Sequence, residues 1–212
     1  MSRQRGIAWL SKSVFDRAAA TALLIVLSPV MLIIAVLILI AMGRPVLFRQ
    51  SRPGYRGRLF NFMKFRTMRD ARSAHGKLLP DDERLTGLGR FLRSTSLDEL
   101  PQLINIMRGE LSFVGPRPLL AVYLGRYTPE QARRHEVIPG VTGWAQVNGR
   151  NALSWDQKFA LDLWYVDHWS LILDLRILVR TLGIVIRREG IAHPGESTMP
   201  EFVGPSSGEG DT

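Results

Sequence analysis

The chain has 212 residues, with 28 Lys and Arg against 19 Asp and Glu for a formal charge of +9, and 46% of its residues are hydrophobic. That length accommodates one domain with a sizeable core and an appended element, and excludes two full enzymatic domains. The absence of cysteine excludes a disulfide framework, a thiolate zinc site, an iron–sulfur cluster and a cysteine nucleophile, so any chemistry uses oxygen and nitrogen groups.

The basic excess is local. Residues 1–17 carry +3 and residues 43–72 carry +8, whereas residues 73–212 sum to −2. The two basic stretches bracket Ala18 to Met42, 25 residues without a charge. A straight helix of that length reaches about 37 Å, enough for the roughly 30 Å hydrocarbon layer of a bilayer. A secretory signal peptide fits poorly, because the apolar run is too long and Ala41-Met42-Gly43-Arg44 offers no cleavage site. Two readings of the segment stand side by side. One is an ordinary span kinked at proline. The other is a re-entrant hairpin that enters the bilayer, breaks at Ser28-Pro29 and returns to the same face. Pro29 lacks an N–H and leaves the Ile25 carbonyl without its helical donor, and Lys/Arg at both ends departs from the one-sided basic bias of a spanning helix. The hairpin is the favoured expectation, with the flanking arginines meeting anionic membrane lipids.

Next, Val46-Leu47-Phe48 and Leu59 to Met63 are β-prone runs separated by the breaker-rich Ser51 to Gly57, which predicts a β-hairpin carrying a cluster of cations. Such a cluster suits headgroups or a nucleotide diphosphate; with no nucleic-acid motif beside it, nucleic acid is not expected as a partner. For Lys64 and Arg66 the pattern alone favours a solvated strand face. Asp70 to Asp82 reads as a polar, mobile loop, and Gly87 to Arg93 as a short helix.

Ser96 and Glu99 match an S-x-x-E capping box, which makes Asp98-Glu99 the acidic first turn of a helix. The same residues have a chemical reading. Asp98 is a candidate nucleophile towards an anionic diphosphate, with Glu99 beside it and a divalent cation bound. Lys64, Arg66, Arg90, Arg93 or Arg117 would offset the like-charge repulsion if the fold brings them together. Spacing does not demonstrate that convergence. Thr128, Pro129 and Gln131 predict a capped helix start. Pro139 to Arg150 is a glycine-punctuated loop from which Thr142, Gln146, Asn148 or Arg150 could approach a substrate. Trp155 to His168 and Ser170 to Arg188 read as helices, packed in the core or lying at the headgroup level with Trp164, Tyr165 and Trp169 as anchors. The tail from His193 is rich in Gly, Pro and Ser and is expected to be disordered. The four histidines lack zinc-ligand spacing, and neither G-x-S-x-G nor a phosphate-binding G-x-x-x-x-G-K-[ST] loop is present.

Four ordered motifs carry a resemblance: Lys64-Phe65-Arg66-Thr67-Met68, Thr95 to Gln102 (TSLDELPQ), Val114-Gly115-Pro116-Arg117-Pro118 and Pro139 to Trp144 (PGVTGW). Together with Ser28-Pro29, Tyr165, Trp169 and Asp174, the chain from about Lys12 to Arg187 resembles the bacterial sugar transferase family, the monotopic phosphoglycosyl transferases, in a minimal short form. The resemblance implies transfer of a sugar 1-phosphate from a UDP-sugar to undecaprenyl phosphate with release of UMP, an inner-membrane site facing the cytoplasm, and Mg2+ as cofactor. It implies Asp98 as covalent nucleophile, Glu99 with Asp98 at the metal, and Lys64, Arg66, Arg90 and Arg117 at the substrate phosphates, with Arg93 as a further member. An N-acetylated amino sugar fits the short form, and a homodimer stays open. The expected architecture is an α-rich α/β catalytic domain over 44–190 with a small β-hairpin and interfacial helices, a re-entrant membrane helix over 1–43 and a disordered tail over 191–212. The non-enzymatic rival is a basic membrane-surface scaffold of a glycan assembly complex.

Overall fold

The computed structural model describes residues 4, 6–73, 75–149, 153–187 and 201–204. Its first element, α1 (Gly6–Met42), is a single 37-residue helix. The break expected at Ser28-Pro29 does not interrupt it. Pro29 orphans the Ile25 carbonyl, and the Ser28 hydroxyl donates to that oxygen at 2.8 Å, so the lost backbone bond is replaced locally and the helix carries on. It stops at Gly43, whose φ of +70° suits the left-handed position after a helix. There Arg66 donates to the carbonyls of Met42, Gly43 and Arg44, and Arg69 to that of Ala41. Two cations thus sit at the negative end of the helix dipole.

One stripe of α1 is covered by protein along its whole length. Lys12, Asp16, Ala20, Ile34 and Ile38 are buried, with Leu24, Leu27, Met31 and Met42 partly covered between and beyond them. These positions recur every three or four residues, so they share one helical face. The opposite face is bare: Val26 is 71% exposed and Ile40 78%. By length and composition α1 could cross a membrane, yet its start, middle and end all rest on the same body.

That body begins with an antiparallel hairpin, β1 (Leu47–Pro53) and β2 (Leu59–Phe65), in the register Leu47↔Phe65 to Pro53↔Leu59. Phe60 and Phe62 of β2 point into a core with Ala20 of α1 and Leu103, Ile106 and Leu111. After the short α2 (Asp81–Arg84), α3 (Gly87–Ser94) starts at Thr86, whose side chain accepts from the Gly89 N–H. A Cβ on Gly89 would lie 1.9 Å from the Thr67 carbonyl oxygen, so only glycine lets α3 approach the end of β2 this closely. Helix α4 (Gln102–Met107) is pinned to β2 by Asn105, whose side chain accepts from Met63 N–H and donates to the Asn61 carbonyl and to Glu110. A two-stranded parallel pair, β3 (Ser112–Val114) and β4 (Gly140–Thr142), follows, with the short α5 (Pro129–Ala132) between them. Thr128 and Gln131 form the expected capping box there, with Pro129 at the first turn.

After the short α6 (Trp144–Val147), helices α7 (Trp155–His168) and α8 (Leu171–Arg187) close the body around Val114, Val137, Tyr165, Val166, Trp169 and Ile177. Of the two readings for Tyr165 and Trp169, core packing or membrane anchoring, the structure shows core packing. Both donate to Asp174, from Oη at 2.7 Å and from Nε1 at 3.1 Å, and such polar tips are best satisfied inside. Lys12 of α1 donates to the same carboxylate at 2.7 Å and lies 3.5 Å from Asp16, which in turn accepts from Ser112 at 2.6 Å. This buried network fastens the start of α1 to α8. Trp164 is more open and stacks between Trp144 and His168, while Ile172, Leu175, Val179 and Leu182 give α8 an exposed apolar stripe.

Among the described residues the architecture is helix-rich with two small two-stranded sheets. Most of the expected disordered tail lies outside the described residues, but 201–204 are placed, and Phe202 is buried among Tyr123, Trp155 and Phe159. An aromatic side chain with a ring-lined recess available packs into it in spite of the polar, glycine-rich sequence around it.

Candidate active site

The acidic pair sits on a 3-10 turn, Leu97–Glu99, at the base of a cavity of about 770 Å³. The capping box expected at Ser96 does not form. Ser96 adopts a left-handed φ of 56° and its side chain makes no cap hydrogen bond, whereas an N-cap needs extended dihedrals. The turn releases Glu99 for another partner, and Arg117 donates to its carboxylate at 2.5 Å. Asp98 faces the same cavity at 6% exposure, and among the described residues its carboxylate accepts no hydrogen bond.

Lys64 from β2, Arg93 from α3 and Arg117 from the segment after β3 share the cavity base with Asp98 and Glu99. Arg93 is steadied by a bond to Thr67 Oγ1 at 3.1 Å. Burial pushes the Asp98 carboxyl up to about 6, with the Glu99 charge adding to the shift and Lys64, Arg93 and Arg117 holding it back. Desolvation lowers the Lys64 pKa, while the Glu99 carboxylate raises that of Arg117. At neutral pH Asp98 is therefore ionised, poorly solvated and surrounded by cations, the condition of an activated anionic nucleophile.

Of the residues picked out from the sequence, the cavity gathers Lys64, Asp98, Glu99, Arg117 and Arg93 but not Arg66 or Arg90. Arg66 is committed to the carbonyls that end α1. Arg90 is exposed on α3, where Gly89 and Leu92 take the buried face. Thr142 and Gln146 reach the lining, whereas Asn148 turns back to the Trp144 carbonyl. Arg150 falls outside the described residues.

Sequence reasoning missed a second group. Arg134 and Asp162 form a buried pair at 2.6 Å, and Arg134 also donates to the Arg117 carbonyl at 2.8 Å. Burial alone would lower the Arg134 pKa, but Asp162 beside it raises it instead. Arg52 donates to the Pro118 carbonyl at 3.2 Å and lies over the Phe62 ring; desolvation, with Arg117 adding to it, lowers its pKa to about 10. The Arg117 backbone is thus gripped from both sides. Asp162 had left a trace, a carboxylate on the α7 face otherwise buried through Phe159, Tyr165 and Val166. Gln102 is 1% exposed, lines the cavity, and among the described residues finds no hydrogen-bond partner for either amide atom. Such an orphaned pair of polar atoms calls for a partner from outside the chain.

Among the described residues no group of three or more His, Asp or Glu is arranged to hold a metal ion. Asp98 and Glu99 remain as oxygen donors. That pair fits magnesium better than zinc or calcium, because magnesium commonly takes one or two carboxylates and completes its shell with water and substrate phosphate.

Buried Asp98 and its neighbour Glu99 thus share one cavity with three cations. The chain belongs to the bacterial sugar transferase family, whose sequence model matches residues 7–188. It is 53% identical over 193 residues to an uncharacterized sugar transferase, EpsL, of Bacillus subtilis, covering 91% of this chain and 96% of that one. It is 38% identical over 196 residues to the undecaprenyl-phosphate galactose phosphotransferase of Salmonella typhimurium, covering 84% of this chain but 41% of the relative. With the UDP-glucose:undecaprenyl-phosphate glucose-1-phosphate transferase of Xanthomonas campestris it shares 42% identity over 184 residues, 81% of this chain and 38% of the relative. The chain therefore spans about two-fifths of the length of the last two.

Proposed function

We propose that the chain transfers a sugar 1-phosphate from a UDP-sugar to undecaprenyl phosphate through a phosphosugar held on Asp98. The observation that carries this reading is the Asp98 carboxylate itself: buried, without a hydrogen bond from the described residues, and sharing a cavity with Lys64, Arg93 and Arg117. An Asp98 oxygen attacks the sugar-bearing phosphorus of the diphosphate, and the bond to the bridging oxygen breaks. UMP leaves with that oxygen and its electron pair. A phosphate oxygen of the lipid then attacks the same phosphorus and frees the carboxylate, forming the diphosphate-linked product. The cations neutralise charge that would otherwise repel the attacking carboxylate, and Glu99 fixes the Arg117 fork. Magnesium bound at Asp98 and Glu99 would supply further charge neutralisation at the diphosphate. A scaffold without catalysis has no use for a carboxylate kept desolvated at this expense of stability.

The membrane reading follows from α1. A straight span would carry one end of the helix across the bilayer, yet Lys12 and Asp16 at one end and Ile38 and Met42 at the other are covered by the same body. Re-entry from the cytoplasmic face of the inner membrane, as a helix bent at Pro29 but unbroken, keeps both ends with that body while the bare face meets lipid. The cavity would then meet a soluble nucleotide-sugar and a membrane-held lipid phosphate at one level.

The test is UMP release by the full chain in lipid nanodiscs with magnesium, undecaprenyl phosphate and a panel of UDP-sugars. Turnover with at least one donor, lost in Asp98→Asn, supports the reading. No UMP from any donor by folded protein contradicts it.

A further inference from the structure

The residues around Phe202 lie beyond the stretch that matches the family, which ends at residue 188. They nevertheless reach the cavity from behind. The Phe202 ring is 3% exposed, with centroids 5.5 Å from Tyr123, 5.5 Å from Trp155 and 5.0 Å from Phe159. Its backbone N–H donates to Tyr123 Oη at 3.2 Å, and Arg126 pairs with Glu201 at 2.7 Å while lying over the Tyr123 ring. Phe202 does not line the cavity, but Tyr123 and Trp155 do, in company with Arg52 and Arg134. Tyr123 is 4% exposed and stands edge-on to Trp155 at 5.6 Å, so it backs the more open Trp155 indole, and this wall beside cations suits a nucleotide, with the base against the indole and the phosphates paired.

We infer that Phe202 is a positioning residue that holds Tyr123 and Trp155 as the wall on which the nucleotide half of the donor rests. This rests on the transferase reading above. The tail segment does no chemistry; it fixes two rings that would otherwise lose contact on their outer side and swing between rotamers, blurring the stacking surface. The device belongs to this chain's tail rather than to the matched family region.

Three forms of the full-length protein in nanodiscs test it: native, Phe202→Ala and Phe202→Leu, with a fourth ending at residue 200. For Phe202→Ala and the shortened chain, KM for the UDP-sugar and the inhibition constant of UMP rise about tenfold, as expected when a base loses its stacking surface. Turnover at saturating donor and KM for the lipid acceptor stay within about twofold, since the Asp98 end of the cavity is untouched, and Phe202→Leu, which keeps most of the apolar contact, recovers most of the donor KM. Unchanged donor KM and UMP inhibition overturn the inference while native turnover leaves the transferase reading standing. A fall in turnover with both KM values unchanged also overturns it, because that marks lost folded protein. Absence of UMP release by the native chain removes both together.

Discussion

Asp98 and Asp174 are both buried carboxylates, and burial raises the pKa of each. Their surroundings separate them. Asp174 receives Lys12, Tyr165 and Trp169 in a closed network that joins α1 to α8. Asp98 receives no hydrogen bond from the described residues and opens on a cavity with cations around it. A buried charge whose partners are all supplied by the chain serves the fold; one left incomplete beside a cavity is a candidate for binding a substrate, the role proposed for Asp98.

The comparison can be broken at either residue. Asp98→Asn removes turnover by at least about 10³-fold, as expected for loss of a covalent nucleophile, yet it should not weaken the fold. The raised Asp98 pKa favours the folded state fully below the unfolded value near 4 and this advantage is lost as pH rises through about 6. At pH 7.5 the ionised carboxylate therefore opposes folding, and the Asn variant should unfold at a higher temperature than the native chain. A lower unfolding temperature for Asp98→Asn would place it with Asp174 as a structural residue. Asp174→Ala has the opposite signature: it takes from buried Lys12 its nearer carboxylate, leaving Asp16 at 3.5 Å, and costs about 3–5 kcal/mol of stability in a denaturation series, with activity falling only as folded protein is lost.

A finer contrast lies on α3. Arg93→Ala, removing a cation from the cavity base, should lower kcat/KM by about 10²-fold, whereas Arg90→Ala on the exposed side should stay within about twofold. Equal effects would mean that the cavity has been assigned the wrong arginine. The smallest effect is in pH: kcat/KM falls tenfold per unit below about pH 6 as Asp98 takes up its proton. A profile flat from pH 7 to 5 would contradict an ionised Asp98 in the rate-determining step.

Local signals read well from sequence. The charge-free segment, the β-hairpin around Gly54 and Gly57, and the Thr128 capping box all depend on short-range chemistry, and all appear at the expected places. Long-range packing was not legible in the same way. Nothing within Tyr165-Val166-Asp167-His168-Trp169 distinguishes a membrane anchor from a core residue until Asp174 and Lys12 are brought beside them. Arg66 and Arg93 have similar neighbours in sequence, and only the distance from the end of α1 commits one to its carbonyls and frees the other for the cavity. The Ser96 pattern failed for a local reason, since its left-handed backbone turns a capping sequence into a turn that presents Asp98. Arg52 and Arg134 were invisible as site residues because their role is to hold the Arg117 segment, through partners far apart in the chain.

The central claim is that Asp98 carries the phosphosugar. The most direct measurement is a rapid-quench experiment on the native chain in nanodiscs, using UDP-sugar labelled in the sugar-bearing phosphate and no lipid acceptor. The account predicts a burst of UMP equal to the active sites, with label bound to protein, mapped to Asp98, absent from Asp98→Asn and discharged when undecaprenyl phosphate is added. No UMP until the lipid is present, and no label on the protein at any time, would show direct transfer and contradict it.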